Sequence, residues 1–362
     1  MSFNEIVMFI MAIGVIIGAI DKIIGNKLGL GKEFEDGFKC MGTIGFSIIG
    51  IISFAPVIAK VISPVIVPLF KKYGIDPAMF GAILANDMGG YTLATSLAVD
   101  KAVGLLAGTT VASMIGCTIV FAIPVGVGLI EEKDYKFFFK GVMLGIIAMP
   151  FGTIIAGLFY GIGFKKLIIN CIPLLIFALI LIIGLVFFQQ VMIKIFEIFG
   201  KFMNIVAIVG IVLAAFKHLT GITLVSGMAP LSEGGRVLID IGIILMGSYP
   251  IIKVIKWILA KPLDYIGDYF GLNAESMIGL IVAMANSVPV FSMIKGMNPR
   301  GKVINSAWLV CAAATLGAHL GFTASVAPSM IATLIIGKIS AGLIAMLLAA
   351  LTSAEKMKQR KN

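Results

Sequence analysis

The sequence predicts an all-α polytopic membrane protein of about ten transmembrane helices, with two structural repeats and with helices broken or re-entrant within the bilayer. Three observations predict it. Hydrophobic residues fill 60% of the 362 positions and charged residues 13%, against roughly 25% charged in soluble domains. The intervals 102–130, 141–164, 167–193, 276–294 and 303–337 hold no Asp, Glu, Lys or Arg. Each is near or above the roughly 20 residues that an apolar helix needs to cross a bilayer. Finally, a set of residues recurs at a nearly constant offset.

Taken in order, the spans read as 3–24, 38–58, 103–130, 142–164, 167–193, 202–216, 235–258, 303–323 and 328–354. The first carries Glu5, no basic leader and no clear cleavage site, so it is expected to be retained. Segments 78–99 and 276–296 are long enough to cross, but Gly or Pro interrupts each near its middle. Short charged connections such as Glu131-Glu132-Lys133-Asp134 separate most spans, and no soluble domain is visible. The expectation is one membrane domain over 1–362.

The repeats come from matched residues. Tyr73-Gly74-Ile75-Asp76 resembles Phe270-Gly271-Leu272-Asn273, Met79-Phe80-Gly81 resembles Met277-Ile278-Gly279, and Asn86 answers Asn286. Lys140 with Ile146-Ile147-Ala148-Met149 answers Lys338 with Leu343-Ile344-Ala345-Met346, and the offset stays between 197 and 200. Repeat one covers about 38–164 and repeat two about 235–354. If 78–99 is a re-entrant hairpin the halves are inverted, a recurrent transporter design with broken helices meeting near the midplane. If it crosses, they are parallel. Inversion is the expectation adopted.

The net charge of +10 is placed on lysines at span ends, where they meet water and headgroups, so nucleic acid is not expected as a partner. Lys356, Lys358, Arg360 and Lys361 follow the last span, which predicts a cytoplasmic C-terminus. Cys40, Cys117, Cys171 and Cys311 lack metal-ligand spacing and read as packing residues. With two histidines and no catalytic signature, neither a metal, a cofactor nor an enzymatic role is expected.

Candidate site residues lie at the two interruptions. Asp87 is the only charged residue between Asp76 and Asp100. A charge at the bilayer centre costs roughly 2.5–3.5 kcal/mol on insertion scales and usually marks a route or a site. Gly89 and Gly90 give the helix a place to open, Asn86 offers an amide, and Tyr91 an aromatic face with a hydroxyl. Such a set suits a small cation with an amine and a hydroxyl. The alternative is that Asp87 caps a half-helix or pairs with a lysine. In the second segment Pro289 breaks the helix beside Asn286 and Ser287, and Phe291 stands where Tyr91 is matched. The alternative there is a kinked packing helix. His319 could bind substrate, pair with Asp87 or relay a proton, or it could be satisfied by a backbone carbonyl. Lys338 reads as a break between two segments at an interface, with an ion pair to Asp87 as the alternative.

Several of these motifs, taken together, resemble one family. Glu35-Asp36-Gly37-Phe38, Met41-Gly42, Ala55-Pro56-Val57 and Asp87-Met88-Gly89-Gly90 are similar to the ethanolamine-utilisation membrane protein (EutH) family. So are Ala285-Asn286 with Pro289, Arg300-Gly301-Lys302-Val303-Ile304-Asn305, His319-Leu320-Gly321-Phe322 and Gly337-Lys338, in order along nearly the whole chain. The resemblance implies an ethanolamine permease of the bacterial cytoplasmic (inner) membrane, feeding an ethanolamine-degrading pathway. Family members often carry an acid before the histidine, where this chain has Ala318, and a cysteine can replace Asn86. Binding is therefore expected to rest on Asp87 for the ammonium. Asn86, Asn286, Ser287 and His319 would serve the hydroxyl, and Tyr91 or Phe291 would offer an aromatic face. Facilitated uptake is the favoured reading. An ion-coupled carrier of another small amine, or a sensor, is the alternative, and homo-oligomerisation is left open.

Overall fold

The computed structural model describes residues 1–84 and 89–353. Ala85 to Met88, which include the predicted Asn86 and Asp87, and the terminal cations from Lys356 onward lie outside the described residues. Among the described residues every regular element is helical, and seven helices are long and apolar enough to cross a membrane.

Helix α1 is Phe3–Ile23, α2 Leu30–Lys72, α3 Ala78–Leu84 and α4 Gly90–Leu97. Helix α5, Lys101–Leu106, runs on through wide π-type turns at Ala107–Gly116 and Thr118–Ala122 into α6, Ile123–Leu129. Then follow α7 Tyr135–Phe159, α8 Phe164–Phe187, α9 Gln189–Thr220 and α10 Leu231–Phe270. The last five are α11 Ala274–Ala285, α12 Ser287–Met293, α13 Pro299–Ala312, α14 Ala318–Val326 and α15 Ile331–Thr352.

Several predicted boundaries move. Helix α1 begins where Ser2 and Glu5 form a capping box. Helix α2 runs well past the expected end at 58, through Pro56, Pro64 and Pro68. Pro56 has no N–H to offer the Ile52 carbonyl one turn back, and the adjacent Ser53 carbonyl accepts from Ala229 N–H at 2.9 Å. The expected span 167–193 is cut at Phe188 (φ −135°, ψ 41°), just before the polar pair Gln189-Gln190. The expected 303–323 span is interrupted at 313–317. Lys338 marks no break. It sits inside α15, fully buried, and donates to the Ser113 carbonyl at 2.9 Å. Ser113 lies in the π-type stretch, where wide turns shift the usual hydrogen-bond partners.

Helices α2 and α10 pack along one another, with α1 and α9 against them. Lipid gives little hydrophobic drive between helices, so close backbone approach matters. Gly14 and Gly247 provide it between α1 and α10: a Cβ on Gly14 would stand 2.1 Å from the Gly247 carbonyl oxygen. Around α7, α13 and α15 lies the largest buried apolar cluster. Its edge is fixed by a buried ion pair, Lys302 Nζ to Asp134 Oδ1 at 2.5 Å.

Two polar clips position the interrupted segments. The Asp76 carboxylate accepts from Ala78 N–H (2.9 Å) at the start of α3 and from Val99 and Asp100 N–H (3.1 and 2.7 Å) beyond α4. Both ends of 76–100 are thereby held together. Asn273 does the same for 273–298. Its Oδ1 accepts from Ser276 N–H (3.3 Å) and Asn298 N–H (3.2 Å), while Asn298 Nδ2 donates to the Gly271 carbonyl (2.7 Å). Gly74 and Gly271, just before the clips, share a left-handed backbone (φ 68° and 67°) that favours glycine. The Lys166 ammonium beside Asp100 holds that carboxyl below the usual carboxylate range.

Candidate small-molecule site

Helix α11 ends because Asn286 turns extended (φ −157°, ψ 135°), and its Oδ1 then caps α12 by accepting from Val288 N–H at 3.0 Å. Pro289 is the third residue of α12. There its missing N–H costs no intrahelical bond, so Asn286 sets the break and the proline tolerates it.

A second interruption meets the first. Between α13 and α14, Ala314 adopts a left-handed conformation (φ 53°), which costs a non-glycine residue roughly 1–2 kcal/mol. The turn is held by the open end of α11: Ala314 N–H donates to the Ala283 carbonyl (2.8 Å) and Leu316 N–H to the Met284 carbonyl (2.9 Å). Each interruption thus satisfies backbone groups that the other leaves open, as membrane depth demands. Ser248 on α10 also donates to the Leu316 carbonyl.

Beside this junction lies a cavity of about 460 Å³. One wall is α2, through Cys40, Thr43, Ser47 and Ile51, and another is α10, through Leu245 and Tyr249. The remaining lining comes from Gly89, Cys117 and Phe121, and from Asn286, Ser287, Ala313, Ala314 and His319. Tyr249 carries its hydroxyl 3.2 Å from Cys40 Sγ, and it lines the cavity together with Asn286. His319 is 3% exposed, with Nδ1 2.9 Å from the Ala313 carbonyl. A carbonyl only accepts, so Nδ1 carries the proton in that bond. The backbone-carbonyl reading and the site reading of His319 are thus compatible.

The predicted residues divide. Gly89, Asn286, Ser287 and His319 meet at the cavity. Tyr91 is outside its lining: the hydroxyl donates to the Val326 carbonyl at 3.1 Å and the ring packs edge-on against Phe322. Phe291, 1% exposed, packs edge-on against Phe138 in the core. Neither ring is therefore placed to face a guest. Gly89 is helical (φ −66°, ψ −21°), and what it provides is space: a Cβ would lie 2.1 Å from Ile51 Cγ2. Gly90 packs on Ala112 in the same way. Asn86 and Asp87 fall outside the described residues, immediately before Gly89. Sequence reasoning missed Cys40, Thr43, Ser47 and Tyr249. The first three recur at helical spacing as small polar groups on one face of an apolar helix, a signal that was available.

The described lining pairs neutral hydrogen-bonding groups with an apolar wall, the composition of a site for a small polar molecule. The family model described as "Ethanolamine utilisation protein, EutH" matches residues 3–352. The chain is 45% identical to the probable ethanolamine permease EutH of Listeria monocytogenes serotype 1/2a (strain 10403S), over 100% of this chain and 97% of that one. It is 38% identical to the probable ethanolamine permeases EutH of Salmonella typhimurium and Escherichia coli K12, over 95% of this chain and 94% of each of theirs. No solved structure matches. With relatives in these bacteria and seven helices fit to cross a bilayer, this is a multi-pass bacterial membrane protein. Matched over nearly its full length, the chain belongs to the ethanolamine utilisation protein EutH family.

Proposed function

We propose that this protein is an ethanolamine permease of the bacterial cytoplasmic membrane that carries the protonated amine by facilitated diffusion. The observation that carries the reading is the cavity at the junction of the two helix interruptions, where neutral donors and acceptors from Asn286, Ser287, Tyr249 and His319 converge. The relatives' printed names supply the substrate. Ethanolamine is a cation near neutral pH, like other primary amines, and crosses lipid poorly in that form. Asp87, two residues before the lining Gly89, holds the ammonium. The hydroxyl is shared among Asn286, Ser287, His319 and Tyr249. No bond is made or broken, so the reading calls for no catalytic residue or cofactor.

The same reading takes 76–100 and 273–298 as re-entrant hairpins, which the clips at Asp76 and Asn273 support. Five crossings then separate Gly74 from Gly271: the run 101–129, α7, α8, α9 and α10. An odd number inverts the second half, about 235–354, relative to the first, about 38–164, within one membrane domain. With α1, α2, the run 299–326 and α15 added, nine crossings and two hairpins replace the ten or so spans expected. The terminal cations put the C-terminus in the cytoplasm, so the N-terminus is outside. A membrane-impermeant thiol reagent should label Ser226→Cys in intact cells and Lys27→Cys only after lysis. The opposite pattern, or labelling of both in intact cells, would overturn this topology.

Transport itself is tested by uptake of labelled ethanolamine into proteoliposomes at pH 6. Uptake should saturate, should compete with propanolamine more strongly than with choline or ammonium, and should not respond to an imposed proton or sodium gradient. A gradient response would make the protein an ion-coupled carrier. No flux above protein-free vesicles would remove the permease reading and favour a sensor.

A further inference from the structure

A second cavity lies between the C-terminal part of α2, α3, α8 and α9. It measures about 700 Å³, within the roughly 300–1,000 Å³ of ligand pockets. Its walls are apolar, with Phe70, Phe80, Ile176, Phe177, Phe196 and Phe199 among them. Ile176 and Ile180 are more than half exposed, so the cavity opens toward the lipid side of α8.

At one end the chemistry changes. Gly74, Lys165, Lys166 and Ile169 line an adjoining hollow. Tyr73 and Ile75, which flank Gly74, line the apolar cavity, and so do Ile172 and Pro173, one turn beyond Ile169 on α8. The two spaces are thus lined by neighbouring residues on both α8 and the 73–75 turn. A third cation borders the mouth, since Lys72 Nζ stands 5.8 Å from the centre of the Tyr73 ring. The acids nearby are already engaged: Asp100 with Lys166, and Asp76 with backbone amides. Neither Lys72 nor Lys165 is ion-paired among the described residues. The first-turn amides of α8, a 24-residue helix, add their positive end at the same place.

We propose that this composite groove binds one anionic phospholipid, with acyl chain in the apolar cavity and phosphate among Lys72, Lys165 and Lys166. An anion alone has no use for an aromatic-lined groove, and an apolar partner alone has no use for cations at one end. A single molecule with both parts matches both. Clustered ammonium groups at the membrane surface attract an anionic headgroup by charge, whereas a zwitterionic lipid would bring its own cation against the lysines. The cavity is lined by α2, α3, α8 and α9, so its occupant joins α3, the first half of the first interrupted segment, to the long helices.

The test uses the full chain in mild detergent and native mass spectrometry, with phosphatidylglycerol or phosphatidylcholine of equal chain length added. One tightly held phosphatidylglycerol per chain is expected, in preference to phosphatidylcholine. Lys165→Glu should cut its occupancy at least about fivefold, and Lys165→Arg should retain it. Ile176→Trp, which fills the groove, should lower occupancy by both lipids. Equal retention of the two lipids in the parent chain would overturn the proposal, as would a preference unchanged by Lys165→Glu. A dimer free of bound lipid would also overturn it and give the groove to a second copy of the chain.

Discussion

Asp87→Asn should bring uptake of labelled ethanolamine at pH 6 close to the level of protein-free vesicles. At that pH almost all the substrate is cationic, and leakage of the neutral amine is at its smallest. The polar side chains of the described cavity lining are Cys40, Thr43, Ser47, Cys117, Tyr249, Asn286, Ser287 and His319, with no acid among them. None of these opposes a full positive charge. A carboxylate about 4 Å from an ammonium gains roughly 4 kcal/mol at an effective dielectric near 20, close to a thousandfold in affinity before desolvation. Asparagine keeps the shape and loses that attraction. Tyr249→Phe is the contrasting variant. It removes one neutral hydrogen bond worth about 0.5–1.5 kcal/mol, so KM should rise a few-fold with the maximal rate nearly unchanged. Unaltered uptake by Asp87→Asn would take Asp87 out of the site and point to passage of the neutral amine, with uptake then rising with pH.

Asp134→Ala should lower the free energy of unfolding in mild detergent by about 3–5 kcal/mol. The reason is the charge it leaves behind. Lys302 and Asp134 have side chains only 9% and 3% exposed, so removal of the acid strands an ammonium with little access to water. The double variant Asp134→Ala with Lys302→Met should recover much of the loss, because no buried charge remains. Glu131→Gln nearby should change stability by less than about 1 kcal/mol, since its pair with Lys133 is exposed. A double variant no more stable than Asp134→Ala alone would show that the pair contributes through packing and not through charge.

How far the sequence could be read depended on which force set each feature. Membrane insertion depends on composition, so the apolar runs located α1 to within one residue and α15 to within three, whereas α10 extends well beyond its expected end at 258. Charge-free runs say nothing of where a helix breaks inside them. The Phe188 break and the 313–317 turn were therefore invisible: one depends on a single twisted residue, the other on carbonyls left open by a distant helix end. Lys338 misled because a charge in an apolar run was read as a boundary. Its actual partner, the Ser113 carbonyl, comes from an irregular turn that no periodicity reveals. At the site, Asn286, Ser287 and His319 were legible because polar groups at membrane depth need a reason to be there. Tyr91 and Phe291 were misplaced because an aromatic ring fills a core as readily as it faces a guest, and only packing decides between them. Tyr249 was passed over because it lies in an apolar helix with nothing local to distinguish it.

Asn286 holds two offices at once: its side chain starts α12, and the same residue lines the cavity. This ties the evolution of substrate choice to the mechanics of the helix end. Substitutions that abandon the cap cost about 0.5–2 kcal/mol of helix stability whatever their effect on the guest. What remains is a short alphabet of Asn, Asp, Ser and Thr. Within that alphabet, Asn286→Asp is the step that adds charge without losing the cap, and so the shortest mutational path from a carrier of one amine toward a carrier of two.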